Sequence, residues 1–101
     1  MESRITESKI RQIANKYLNF YHVSKHSYHP IATNNHLINF LSGVEFAYLS
    51  IAASYQQIIN NDFFYQEYPG WWKSQYKKTN YLKLKKLAVR KFLEVFYEFY
   101  N

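Results

Sequence analysis

The sequence predicts an all-α fold, a small helical bundle ending in a helix-turn-helix unit. Apolar residues recur at three- and four-residue spacings along most of the 101-residue chain, which is the period of an amphipathic helix. Only two glycines and two prolines interrupt it, whereas a sandwich or barrel would need a turn signal every ~8–12 residues. Apolar residues make up 48% and aromatics 21%. A disordered basic tail carries far less, so the charge belongs to a folded body with a single core.

The first helix is expected over about residues 7–22, where Ile10, Ile13, Ala14, Tyr17, Leu18 and Tyr21 follow Ile5 at helical spacing, with Thr6 or Ser8 as cap. Residues 22–35 lose the period amid Ser24, Ser27, Pro30 and Thr33 and read as a loop. The division is therefore an N-terminal helix and loop over 1–32 and a helix-turn-helix domain over 33–101, together one compact domain. Thr33 or Asn34 can cap a second helix carrying Leu37, Ile38, Phe40, Leu41, Val44, Phe46 and Leu49, with Gly43 tolerated inside. Ser54 with Gln57 three residues on forms a capping-box signature for a third helix holding Tyr55, Ile58, Ile59 and Phe63. Tyr68-Pro69-Gly70 is a turn, and Pro69 suits the first position of a short helix with Trp71, Trp72 and Tyr76. A long final helix begins near Thr79.

That final stretch concentrates the charge. Eight of the 13 basic residues lie between Lys73 and Lys91, and no acidic residue falls between Gly70 and Lys91. On a helix, Leu84, Ala88, Phe92, Val95, Phe96 and Phe99 share one side, with Lys83, Lys86, Arg90 and Glu94 opposite. The net charge of +6 is itself weak information, because Phe, Tyr, Met, Ile, Asn and Lys dominate the composition and AT-rich codon usage alone produces that bias. Placement is more informative. The helix macrodipole favours acids early and bases late, whereas here the lysines come first and Glu94 and Glu98 last. A phosphate-bearing partner gains from both the lysines and the helix start.

The series IINNDFF (58–64), WW (71–72) and YKKTNYLKLKKLAVRKFLEVF (76–96) resembles the C-terminal part of ArpU-like and RinA-like phage transcriptional regulators, and of small mycoplasma proteins with the same ending. These families resemble region four of bacterial sigma factors, a helix-turn-helix that docks on promoter DNA. The resemblance runs from about residue 44 to 96. It implies that Lys78, Thr79, Asn80, Lys83 and Lys86 face DNA and that Leu84, Ala88 and Phe92 are core. The chain departs from the pattern at Lys77, where the look-alikes have a capping serine, so Thr79 is the expected cap. The turn also lacks its usual glycine.

Other chemistries find little support. The chain has no cysteine, which excludes disulfides and thiolate metal sites and fits a cytoplasmic setting. His22, His26, His29 and His36 are read as polar loop residues, without the carboxylates or thiolates that complete a zinc set. No metal or cofactor is expected. The seven carboxylates are scattered and no nucleophile triad or phosphate loop occurs, so no enzyme is expected. Asp62, embedded among apolar residues, is expected to pair with a lysine or cap a helix. Of the two tryptophans, Trp72 is expected in the core with its indole N–H on an acceptor. No apolar run is long enough to span a bilayer.

The expected function is transcription regulation by binding double-stranded DNA through Lys73, Lys77, Lys78, Thr79, Asn80, Lys83, Lys86 and Arg90. The first helix packs on the unit or makes a homodimer. One alternative is a protein-interaction module docking on RNA polymerase or another acidic partner. A helix lying on anionic membrane is a third reading, and it requires the apolar stripe to be exposed.

Overall fold

The helical spacing is realised as α1 (Glu2–His26), α2 (Asn35–Ser50), α3 (Ala53–Ile59) and α4 (Lys78–Tyr100). A π-helical turn (Asn60–Phe64) prolongs α3, and a 3-10 helix (Trp71–Ser74) precedes α4. The structure is a computed structural model and describes residues 2–26, 35–65 and 69–100; among these there is no strand. The all-α class is thus as the sequence predicts.

Helix α1 overruns the predicted 7–22 at both ends, because nothing from Glu2 to His26 breaks a helix and the first proline is Pro30. Thr6 and Ser8 are therefore interior rather than caps. His22 and His26 lie in α1, and His36 in α2, instead of a loop. Thr33, Asn34, His29 and Tyr68 lie outside the described residues.

Helix α3 starts earlier than the capping box requires. Ala52 is its N-cap and makes no side-chain cap bond. Ser54 then sits inside the helix and exposed, where its hydroxyl cannot reach the free N–H groups. The junction is held instead by Gln56, whose Nε2 donates to the Tyr48 carbonyl at 2.8 Å and satisfies a carbonyl in the last turn of α2.

The π-turn has a cause in the sequence. Ile58 and Ile59 are followed five residues later by Phe63 and Phe64, and all four are buried. Five residues along an α-helix turn a side chain about 140° away, whereas an i→i+5 turn brings it back to the same side. The bond from Tyr65 N–H to the Asn60 carbonyl, 2.8 Å, closes that wider ring.

The core joins all four helices. Ile10, Ile13 and Ala14 of α1 meet Phe40, Val44 and Ala47 of α2, the α3–π pairs, and Ala88, Val89, Phe92 and Phe96 of α4 in one cluster. α4 is the central helix, packed by the other three. That burial takes about half its circumference, so Val89 and Leu93 are buried beyond the predicted stripe, while Phe99 near its end is 43% exposed. Phe99 stacks on Phe46, which is also half exposed, at 5.1 Å. Leu49, assigned to the apolar stripe of α2, faces outward as well.

Gly43 is more than tolerated. A Cβ there would lie 3.1 Å from Phe99 Cδ1 and 3.3 Å from Phe96 Cε1, so its absence lets α2 close on the end of α4.

Candidate nucleic-acid interface

The predicted contact residues occupy the start of α4 and the chain just before it. Lys73 sits on the 3-10 helix, Lys77 in the link, and Lys78, Thr79, Asn80, Lys83, Lys86 and Arg90 on α4; all eight are exposed. At ~100° per residue, Thr79, Lys83, Lys86 and Arg90 fall within about 60° of one another and form one outward stripe. Lys78 and Asn80 lie about 100° to either side of Thr79. Asn80 therefore shares the neighbouring flank with Leu87 and Lys91. Among the described residues, Lys77, Lys78, Lys83, Lys86 and Arg90 make no ion pair. Lys91 is 3.4 Å from Glu94.

Helix α4 starts one residue before Thr79, and its cap lies two residues before the expected one. Tyr81 N–H donates to the Lys77 carbonyl at 2.9 Å, so Lys77 holds the cap position and Thr79 is already in the first turn. A lysine offers no acceptor for the free N–H groups there. The helix also has no acidic residue in its first turn and no basic residue in its last. The link over residues 75–77 joins α4 to a 3-10 helix of four residues rather than to an α-helix. Gly70, with φ of 83°, makes the turn ahead of that short helix, in a left-handed conformation that side-chain-bearing residues avoid.

What fixes this start is a partly buried polar cluster around Asp62. One carboxylate oxygen accepts the Trp71 indole N–H at 2.8 Å, and the other accepts the Tyr81 hydroxyl. Lys85 Nζ lies 3.8 Å from the same carboxylate and 3.8 Å from Glu7 of α1. Asp62 thus ties the π-turn, the 3-10 helix, α4 and, through Lys85, α1. Burial pushes the Tyr81 phenol well above its ordinary pKa, aided by its bond to Asp62 and by the charges of Asp62 and Glu7. The expected lysine partner for Asp62 is present as Lys85.

The core tryptophan is Trp71, not Trp72 as expected from the sequence. Trp71 is the buried one, with its N–H on Asp62, while Trp72 is half-buried and stacks on the Tyr81 ring at 4.4 Å and 7°. The left-handed turn at Gly70 puts the first residue of the 3-10 helix, not the second, over the core.

No family model, curated protein or solved structure matches the chain.

In the sequence Lys85 is one more cation of the basic block. Its position was informative: Lys85 stands four residues after Tyr81 and four before Val89, on the buried side of the helix. It tethers α4 to Glu7 and Asp62 and stands outside the outward stripe. The apolar stripe of α4 is buried, with Ala88, Val89, Phe92 and Phe96 in the core, so it is not free to lie on a membrane. Among the described residues, no helix is long and apolar enough to cross one. On α1, Ile10, Ile13 and Ala14 are spent on the chain's own core.

Chemically, the arrangement offers cations held at fixed height on a rigid helix, beside uncommitted backbone N–H groups at its start. Both favour anionic oxygens.

Proposed function

We propose that the chain binds double-stranded DNA, docking the exposed side of the first half of α4 on the phosphate backbone, and that it regulates transcription. One observation carries the reading. Five cations, Lys77, Lys78, Lys83, Lys86 and Arg90, stand exposed and without ion pairs among the described residues, while Lys85, on the inward side of the same helix, is neutralised by carboxylates. The acids of α4, Glu94 and Glu98, lie at the far end. A phosphate chain is thereby drawn to the start of the helix.

The finer reading is a sigma-region-four-like helix-turn-helix, with α4 as recognition helix after a short helix and tight link. The order of elements and the resemblance to phage regulators support it. Affinity is dominated by phosphates, and Asn80 is suited to adenine at a groove edge.

Titration of a labelled duplex at several salt concentrations tests the proposal. With five phosphates neutralised, log K falls against log salt with a slope of about −4.5. Absence of binding even at low salt would overturn it.

A second reading, docking on an acidic protein such as a surface of RNA polymerase, draws on Leu82 and Leu87. They are 50% and 38% exposed on the lysine-bearing helix, and exposed leucines among cations suit an acidic amphipathic helix. Binding of such a helix without any binding of duplex would favour this reading.

A further inference from the structure

Between the start of α1 and the first half of α4 lies a cleft of about 390 Å³, lined by Thr6, Glu7, Leu82, Lys83, Lys85 and Lys86, with buried Val89 behind them. Three lysines and one carboxylate line it, and Lys85 Nζ is the ammonium that lies beside that carboxylate. Lys85 is 18% exposed and its contacts with Glu7 and Asp62, both 3.8 Å, are longer than a hydrogen bond. Glu7 is the more exposed of those two carboxylates, at 38% against 12% for Asp62. Asp62 is further held by Trp71 and Tyr81, so Glu7 is the partner of Lys85 that can be displaced. Lys83 and Lys86 make no ion pair among the described residues.

We propose that this cleft is a phosphate-binding site, in which the phosphate takes the place of Glu7 on Lys85 and is flanked by Lys83 and Lys86. A phosphate offers more oxygens than a carboxylate and, as a monoester, up to two charges against one; a phosphodiester carries one. Glu7 is then a built-in competitor that keeps the cleft neutralised until a phosphate enters. The cleft is larger than a phosphate group alone, which fits a phosphate carried on a larger body, either a backbone phosphodiester or a free phosphate ester. The proposal goes beyond the duplex reading, because Lys85 and Glu7 take no part in the outward stripe and the site would serve a free phosphate ester even if no duplex bound.

The test titrates inorganic phosphate against chloride at constant ionic strength, following backbone amide shifts of the full chain by NMR. Glu7→Gln is expected to tighten phosphate binding about threefold, the scale of a partly exposed ion pair. The pair of substitutions Lys83→Gln and Lys86→Gln, both at exposed positions, is expected to weaken it by at least as much. Shifts should centre on residues 6–7 and 82–89. Unchanged or weaker binding in Glu7→Gln would overturn the proposal, as would shifts spread evenly over every exposed lysine.

A second arm repeats Glu7→Gln with a duplex. A parallel gain there identifies the backbone as the source, and a gain for inorganic phosphate alone identifies a free phosphate ester. Duplex binding with no phosphate response at the cleft defeats this proposal and leaves the duplex reading standing.

Discussion

Asp62 can be tested by two substitutions that the structure ranks. Asp62→Ala strands the Trp71 N–H and the Tyr81 hydroxyl, both of which have their partner in this carboxylate. A buried donor left without a partner costs about 1–3 kcal/mol. Because the Asp62 side chain keeps 12% exposure, some water can enter, and Lys85 retains Glu7. The expected loss is therefore about 2–4 kcal/mol, a large share of the ~5–15 kcal/mol of a typical domain. For a chain of this size it lowers the thermal midpoint by roughly 10–20 °C. Asp62→Asn is different. Its amide oxygen can still accept from Trp71, which only donates, and its amide nitrogen can donate to the Tyr81 oxygen, which also accepts. The charge facing Lys85 is lost and the Tyr81 O–H proton loses its acceptor, but no heavy atom is left without a partner, so about 1–2 kcal/mol is expected. Thermal unfolding followed by far-ultraviolet circular dichroism reads both. An alanine variant within about 1 kcal/mol of the parent would refute the reasoning. Equal losses for both variants would show that charge, rather than hydrogen bonding, holds the cluster.

Replacing Lys83, Lys86 and Arg90 together by Gln should leave the thermal midpoint within a few degrees, since exposed substitutions stay within about ±0.5 kcal/mol each, while duplex affinity falls and the salt slope flattens by about 2.7. Tyr81 has a raised folded pKa, so its contribution is fully present below the unfolded value of about 10 and is lost as pH rises beyond it. The stability difference between parent and Tyr81→Phe, measured by urea unfolding, should therefore shrink above about pH 10 at up to ~1.4 kcal/mol per pH unit; a constant difference would contradict the burial of that phenol. Gly43→Val should destabilise by about 1–3 kcal/mol in urea, because the buried Phe96 ring stands where the new side chain must go. Lys78→Glu, in the first turn of α4, should raise stability by about 0.3–1 kcal/mol and weaken duplex binding, the two being read by thermal unfolding and by titration.

The fold class was legible because it rests on period and on the scarcity of breakers, both properties of the chain alone. What escaped depended on neighbours. The π-turn could have been anticipated, since Ile58-Ile59 and Phe63-Phe64 at five-residue spacing cannot share an α-helical face. The choice between Trp71 and Trp72 could not, because it turns on the left-handed backbone at Gly70 and on which indole reaches Asp62. The exposed cations were legible, as they stand opposite the apolar stripe of a strongly amphipathic helix. Lys85 and Glu7 were not, because their meeting depends on how α1 crosses α4, and nothing local to either helix specifies that.

The reversed order of charge on α4 acquires a definite scale in the folded chain. Macrodipole effects fade beyond the terminal turns, so Lys83 and Lys86 cost little, and the misplaced charges that count are Lys77, Lys78 and Glu98. At about 0.3–1 kcal/mol each, they weigh roughly as much as one buried side chain, at ~1.5–3 kcal/mol. Helix α4 buries Val89, Phe92 and Phe96 among others, so the core carries that load without difficulty. A helix serving only to fill the core would gain stability from an acid at Lys78 and lose nothing. Two lysines at a start that already exposes N–H groups cost stability and increase only the attraction for anions. The trade expected for Lys78→Glu separates these cases: a gain in stability with no loss of duplex or phosphate binding would reduce the basic start of α4 to a solvated end.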